Sequence, residues 1–229
     1  MNSLTVILAD DHHVVRQGLI KLLETEPGIS IVGDAENGQQ AIQLTRQLHP
    51  DILVVDLMMP GINGIEVTRQ VSKISPQTKT IILSMYGNES YVIEAFHAGA
   101  KAYVLKEATV DELVVAIRQA ASSHRYLSQA LSEKAIENYI YKDKNKDATV
   151  DLYENLTLRE REIFHLVVQS FTNVQIASKL CLSRRTVEVH RRNMMQKLGI
   201  RSQRELLHFA MQRGIIPSNP VSSEDQSEL

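Results

Sequence analysis

The 229-residue chain has little of what would tie it to a membrane or to the outside of a cell. Cys181 is its only cysteine, so no disulfide can close within the chain, a usage that fits a reducing cytosol. No apolar run approaches the roughly 20 residues that a spanning helix needs. Met1-Asn2-Ser3-Leu4 carries no basic stretch ahead of a long apolar run, so no secretory leader is read there and a cytoplasmic protein is expected. No internal repeat is visible. Net charge is also nearly absent, at −2 over the whole chain.

That small total hides an asymmetry. Residues 1–125 hold 10 Lys+Arg and 14 Asp+Glu, whereas residues 156–216 hold 11 and 4, a net of +7. A compact basic segment in an otherwise acidic chain points to a polyanionic partner for that segment.

Strand-like apolar runs lie at 4–9, 29–33, 51–56, 79–84 and 101–105, and stretches of helical spacing separate them. Val110 to Ala121, with Asp111 and Glu112 in its first turn, is the fifth such helix. Five strand–helix units predict an α/β domain with a doubly wound, five-stranded parallel sheet over residues 1–125. Residues 126–154 break the rhythm. Tyr126 to Tyr141 has some helical character, Lys142 to Asp147 is polar, and the whole stretch reads as a linker. Residues 155–216 show helical periodicity only, with helices expected near 158–170, 173–180, 184–197 and 202–213. The polar tail 217–229 reads as disordered.

Three of the strand runs end in charged residues. Leu4 to Ala9 runs into Asp10-Asp11, Ile52 to Val55 into Asp56, and Ala102 to Leu105 into Lys106. Parallel sheets bind ligands at the carboxyl ends of their strands, so these groups converge if the strands are parallel. Clustered carboxylates repel one another unless a cation compensates. Mg²⁺, which takes one or two carboxylates together with a phosphate oxygen, suits such a set. Lys106 offers a point charge for a phosphoryl oxygen and Ser84 a hydroxyl donor, leaving Asp56 as the nucleophile. His12 and His13 follow the acids, but the pattern brings no further His or Cys to complete a transition-metal site, so His12 reads as a rim residue.

The basic segment opens on Thr157 and Glu160, the spacing of a capping box. Val174 to Leu180 forms a short amphipathic helix. A turn, Cys181-Leu182-Ser183, leads into an arginine-rich helix from Arg184, with Ser183 as its cap. Two short helices joined by a tight turn make a helix-turn-helix. Val187, Met194 and Leu198 are expected to face the core, and Glu188, Arg191, Arg192 and Met195 to face out. Cys181 reads as a small core-facing residue, with a redox switch as the alternative.

The segments Asp10-Asp11, Asp56-Leu57-Met58-Met59-Pro60 with Gly64, Ser84, and Gly99 to Lys106 resemble the receiver domain of two-component response regulators. The later string resembles the LuxR-type DNA-binding domain: Leu156-Thr157-x-Arg159-Glu160, Asn173-x-x-Ile176-Ala177, Ser183-x-x-Thr186-Val187-Glu188-x-His190-x-x-x-Met194, Lys197-Leu198 and Arg201. Together they resemble a response regulator of the NarL/FixJ class. The resemblance implies a flavodoxin-like receiver followed by an all-α four-helix domain.

It implies Asp56 as a phosphoacceptor supplied by a histidine kinase, and Mg²⁺ held by Asp10, Asp11, Asp56 and the Met58 carbonyl. Ser84 and Lys106 would bind the phosphoryl group, with Ser84 and Tyr103 as the switch pair. Arg184, Arg185, Val189 and Arg192 lie where the family contacts DNA, with Thr186 and His190 near the backbone. Glu188 stands where relatives often carry lysine. A homodimer when phosphorylated, double-stranded promoter DNA as ligand and no membrane partner follow. So does catalysis limited to the chain's own phosphorylation and dephosphorylation.

Two departures stand out: Glu107 where a proline often follows the lysine, and Ser170 where a glycine is common. An aspartate-nucleophile phosphohydrolase of the haloacid-dehalogenase type is the rival reading. It wants an acid two residues beyond the nucleophile, where this chain has Met58.

Overall fold

A computed structural model describes residues 3–133, 152–153, 155–213 and 215. The chain divides into two compact units, the first carrying residues 4–133 and the second built on most of residues 155–213. The expected polar linker from Lys142 to Asp147 and the tail 217–229 lie outside the described residues.

The first unit alternates β1 (Leu4–Ala9), α1 (His13–Glu24), β2 (Ile29–Ala35), α2 (Gly38–Leu48), β3 (Ile52–Asp56), α3 (Gly64–Ile74), β4 (Lys79–Ser84), α4 (Glu89–Ala98), β5 (Ala102–Leu105) and α5 (Val110–Ala121). With β6 (Tyr126–Leu127) at one edge, all strand pairs are parallel, in the order β2-β1-β3-β4-β5-β6. Residues from both sheet faces are buried, which is why the strands read as continuous apolar runs rather than alternating ones. One face stacks Val6, Leu8, Ile52, Val54, Ile81 and Val104 against Leu113 and Ile117 of α5. The alternate residues Ile7, Leu53, Val55, Ile82 and Tyr103 are equally buried on the other face. Each such apolar side chain contributes about 1.5–3 kcal/mol by leaving water. Asn37, Asn63 and Thr109 cap α2, α3 and α5 by accepting from amides three residues on.

The sheet has six strands, not the five expected. Tyr126–Leu127 forms β6, paired in parallel with β5 at Ala102 and Tyr103, and a helical turn follows from Gln129. The segment read as linker therefore begins as part of the sheet. Two residues are too short for a periodicity signal, and β6 exists because β5 would otherwise present an unpaired edge.

In the second unit α6 (Leu158–Val168), α7 (Asn173–Lys179), α8 (Arg184–Leu198) and α9 (Gln203–Gln212) surround Ile163, Phe164, Val167, Ile176, Val187, Met194, Leu198 and Leu206, all buried. Thr157 and Glu160 form the full capping box of α6. Glu160 also takes an ion pair from Lys197 at 2.7 Å, tying the start of α6 to the end of α8. Ser170 adopts φ +67°, the left-handed conformation for which glycine is favoured. Its amide donates to Val167 O and that of Phe171 to Leu166 O, so it closes α6 as a Schellman motif without the glycine.

Candidate functional site

Strand order reverses between β1 and β3, and both strands end there in carboxylates. Asp10, Asp11, His12 and Asp56 each offer a ligand atom, and these atoms lie within 4.8 Å of one another. Asp10 and Asp56 are buried, at 1% and 4% exposure, while Asp11 is partly buried and His12 exposed. Lys106, delivered by β5, sets its Nζ 2.8 Å from Asp56 Oδ2 and 2.7 Å from Asp10 Oδ2. Asp11 Oδ1 is buried without a hydrogen-bond donor, the His12 ring nitrogen standing 3.0 Å away. Three convergent carboxylates, one with an unanswered buried oxygen, suit a hard divalent cation such as Mg²⁺.

Burial pushes the Asp56 carboxyl up from 3.8 to about 6; Lys106 opposes that rise and Asp10 adds to it. Burial disfavours the Lys106 charge, but Asp56 and Asp10 outweigh it and hold the ammonium above its usual range. The backbone at this point is tightly constrained. A Cβ on Gly64 would lie 2.4 Å from the Asp56 carbonyl oxygen, so α3 can approach the end of β3 only as glycine. Met58 lies in the intervening loop, its amide 3.3 Å from Asp56 Oδ1.

Ser84 ends β4 fully buried, and its hydroxyl oxygen accepts from the Tyr86 amide at 2.9 Å. Tyr103 is also buried, with its hydroxyl donating to the Tyr86 carbonyl at 2.6 Å. Burial raises the Tyr103 phenol above its usual range. Arg16 on α1 was not singled out from the sequence, yet it is buried. It donates to the Asp10 carbonyl and, through Nε at 2.8 Å, to Asp34 Oδ2, so it fixes the end of β1. An arginine within an amphipathic pattern carries no signal of such a role.

On α8, Arg184, Arg185, Glu188, Val189 and Arg192 line one open groove of about 540 Å³. Their spacing places them on one helical face. Arg184 Nε pairs with Glu188 at 2.9 Å. Thr186 is half-buried against the Ser183 cap, at 2.7 Å between hydroxyls, and His190 is half-buried, neither lining the groove. Arg191 corrects the expectation of an outward arginine. It is half-buried and donates to Asn173 Oδ1 at 2.9 Å and Gln203 Oε1 at 3.2 Å, linking α7, α8 and α9. Met195 is half-buried as well. Cys181 is not core-facing: it sits at φ +51° in the turn and is exposed.

Residues 6–118 match the response regulator receiver domain, and residues 154–210 match the luxR family of bacterial regulatory proteins. The oxygen regulatory protein NreC of Staphylococcus aureus is 34% identical over 214 residues, covering 92% of this chain and 98% of that protein. The response regulator ChrA of a heme-sensing two-component system aligns at a TM-score of 0.51 with 30% identity, covering 94% of this chain and all of that one. RcsB of Salmonella enterica serovar Typhimurium, solved on the rprA promoter with the phosphomimetic BeF3-, aligns at a TM-score of 0.62 with 26% identity, over 91% of this chain and 98% of that one. Among the described residues no helix is long and apolar enough to cross a membrane. The chain belongs to the two-component response regulators of the NarL/FixJ class, transcription regulators that join a receiver domain to a LuxR-type DNA-binding helix-turn-helix.

Proposed function

We propose that the protein works in the cytoplasm, where Asp56 accepts a phosphoryl group from a histidine kinase, and that its charge state gates dimerisation and promoter binding by residues 155–216. The observation that carries this reading is Lys106, bridging Asp56 and Asp10 at 2.8 and 2.7 Å beside Asp11. Mg²⁺, held by Asp10, Asp11, Asp56 and the Met58 carbonyl, would neutralise charge on the transferring phosphoryl oxygens. The chain's own groups do the rest. An Asp56 oxygen attacks phosphorus as the phosphorus–nitrogen bond of a phosphohistidine breaks, and the leaving imidazole takes a proton. Lys106 turns from the carboxylate to a phosphoryl oxygen, and the Ser84 hydroxyl donates to another. Arg16 holds the β1 end in place.

The phosphohydrolase alternative lacks its second acid, since Met58 cannot move a proton. On the DNA side, Arg184, Arg185 and Arg192 supply phosphate and guanine contacts, Val189 an apolar one, and Glu188 accepts from a cytosine amino group. Thr186 and His190 support the helix near the DNA backbone. Two copies then read half-sites about one helical turn apart.

The test is incubation with acetyl phosphate and Mg²⁺, followed by scoring of hydroxylamine-labile phosphate. Wild type forms it and Asp56→Asn does not. Label retained in Asp56→Asn, or label in wild type that ignores chelation, overturns the assignment.

A further inference from the structure

The sixth strand, Arg125 before it and the helical turn after it take no part in the acidic site, yet they contact α4, β5, α5 and the loop that follows Ser84. Arg125 stacks over Phe96 of α4, 5.6 Å from the ring centroid. The Tyr126 amide donates to Lys101 O and the Ser128 amide to Tyr103 O, both at 2.9 Å, so β6 hangs on the strand that carries Tyr103. Glu112, in the first turn of α5, gathers three donors on one oxygen. They are the Ser128 hydroxyl at 2.7 Å, the Gln129 amide at 2.9 Å and the Tyr126 hydroxyl at 3.3 Å. The Ser128 carbonyl then accepts from the Leu131 and Ser132 amides at 3.0 Å, starting the turn that buries Leu131. A Cβ on Gly87 would lie 2.7 Å from Leu131 Cδ2, so Leu131 packs directly on the loop that follows Ser84. Tyr86 in that loop is bonded to the Ser84 hydroxyl through its amide and to the Tyr103 hydroxyl through its carbonyl.

We propose that residues 125–132 form a latch, clamped by Glu112 and wedged by Leu131, that passes the state of the Ser84–Gly87 loop to the chain leaving the first unit. The proposal rests on the reading of Asp56 as phosphoacceptor. A Ser84 hydroxyl that turns to a phosphoryl group gives up or drags the Tyr86 amide. Either motion shifts Gly87, and Leu131, in contact with it, cannot stay where it is. Only two residues of β6 pair with β5, so the latch can shift or open without unravelling the parallel sheet. The clamp is concentrated in one carboxylate, which makes the latch strength adjustable at a single residue. The device is bistable in the required sense: a small packed element whose equilibrium a ligand at another site can bias.

Hydrogen exchange on the full chain tests it, because local opening is read amide by amide. Glu112→Ala is expected to speed exchange at Tyr126, Ser128 and Gln129 about tenfold, while Leu53 to Val55 in β3 keep wild-type protection and certify the fold. Glu112→Gln, which keeps an acceptor oxygen, stays near wild type. Leu131→Ala is expected to speed exchange at 85–88 several-fold. In wild type, Mg²⁺ with beryllofluoride is expected to change 85–88 and 126–132 together. Unchanged exchange at 85–88 in Leu131→Ala overturns the latch. So does beryllofluoride that alters 85–88 and leaves 126–132 as it was. If calorimetry detects no beryllofluoride binding and neither segment responds, the phosphoacceptor reading falls and takes the input with it. Leu131→Ala then still decides whether loop and latch are coupled.

Discussion

Replacing Asp56 by asparagine is expected to make the metal-free first unit more stable, although it removes one partner of a 2.8 Å ion pair. The buried carboxyl rises from 3.8 to about 6 despite Lys106. At roughly 1.4 kcal/mol per pKa unit, the ionised side chain costs the fold about 3 kcal/mol. Between pH 3.8 and about 6 the folded protein keeps a proton that the unfolded chain has released, so this contribution to stability falls as pH rises through that window. Asparagine is uncharged throughout. The variant therefore gains about 3 kcal/mol at pH 7.5, narrowing to about half that at pH 5, and its melting temperature rises by roughly 10 °C. The assay is exchange protection of the slowest β3 amides, Leu53 to Val55, in EDTA at both pH values. Added Mg²⁺ is expected to stabilise wild type more than the variant, since only wild type has a third carboxylate to neutralise. A variant no more stable than wild type at pH 7.5, or a gap that does not shrink at pH 5, refutes the reasoning. The acidic pocket would then not hold net unfavourable charge awaiting a cation.

Three further outcomes are expected. Ser170→Gly relieves a left-handed serine that costs about 1–2 kcal/mol, partly offset by glycine's freer unfolded chain, so urea unfolding of the second unit shifts up by about 0.5–1 kcal/mol; an unchanged or lower midpoint contradicts it. His165 is buried against the Tyr153 hydroxyl at 2.8 Å, and burial, aided by Arg161, lowers it from 6.5 to about 3. Below pH 6.5 the unfolded chain binds a proton that the folded one does not, so the second unit loses stability progressively from pH 6.5 towards 3, a slope that unfolding midpoints of the full chain would fail to show if His165 were charged in the fold. Arg192→Ala weakens DNA binding and lowers the salt slope by about one; an unchanged slope removes the phosphate contact.

Much of the acidic site was legible in the chain because each member stands at the end of an apolar run, and a parallel sheet brings such ends together. Helix caps were legible for a related reason: Thr157 with Glu160, and Ser183, act over three residues. What escaped depends on partners far away in sequence. Arg16 and Glu112 sit in ordinary helical patterns, and only the folded chain sets them against Asp10 and Ser128. Arg191 was expected outward because helical phase alone cannot register Asn173 and Gln203 on neighbouring helices. Cys181 is expected inward because small apolar residues usually are, whereas the fold leaves it exposed in the turn between two helices.

By itself, then, the sequence determined the order of the longer strands and helices, the split into an acidic α/β half and a basic helical half, and the carboxylates and arginines proposed to carry the chemistry. Those depend on local periodicity, capping and charge, which act over a few residues. The tertiary structure alone decided that the sheet has a sixth strand, that Leu131 rests on Gly87, and that one glutamate holds the exit of the first unit. A two-residue strand and a single packed leucine leave no periodic trace, and they exist only because an open sheet edge and a bare loop are there to receive them.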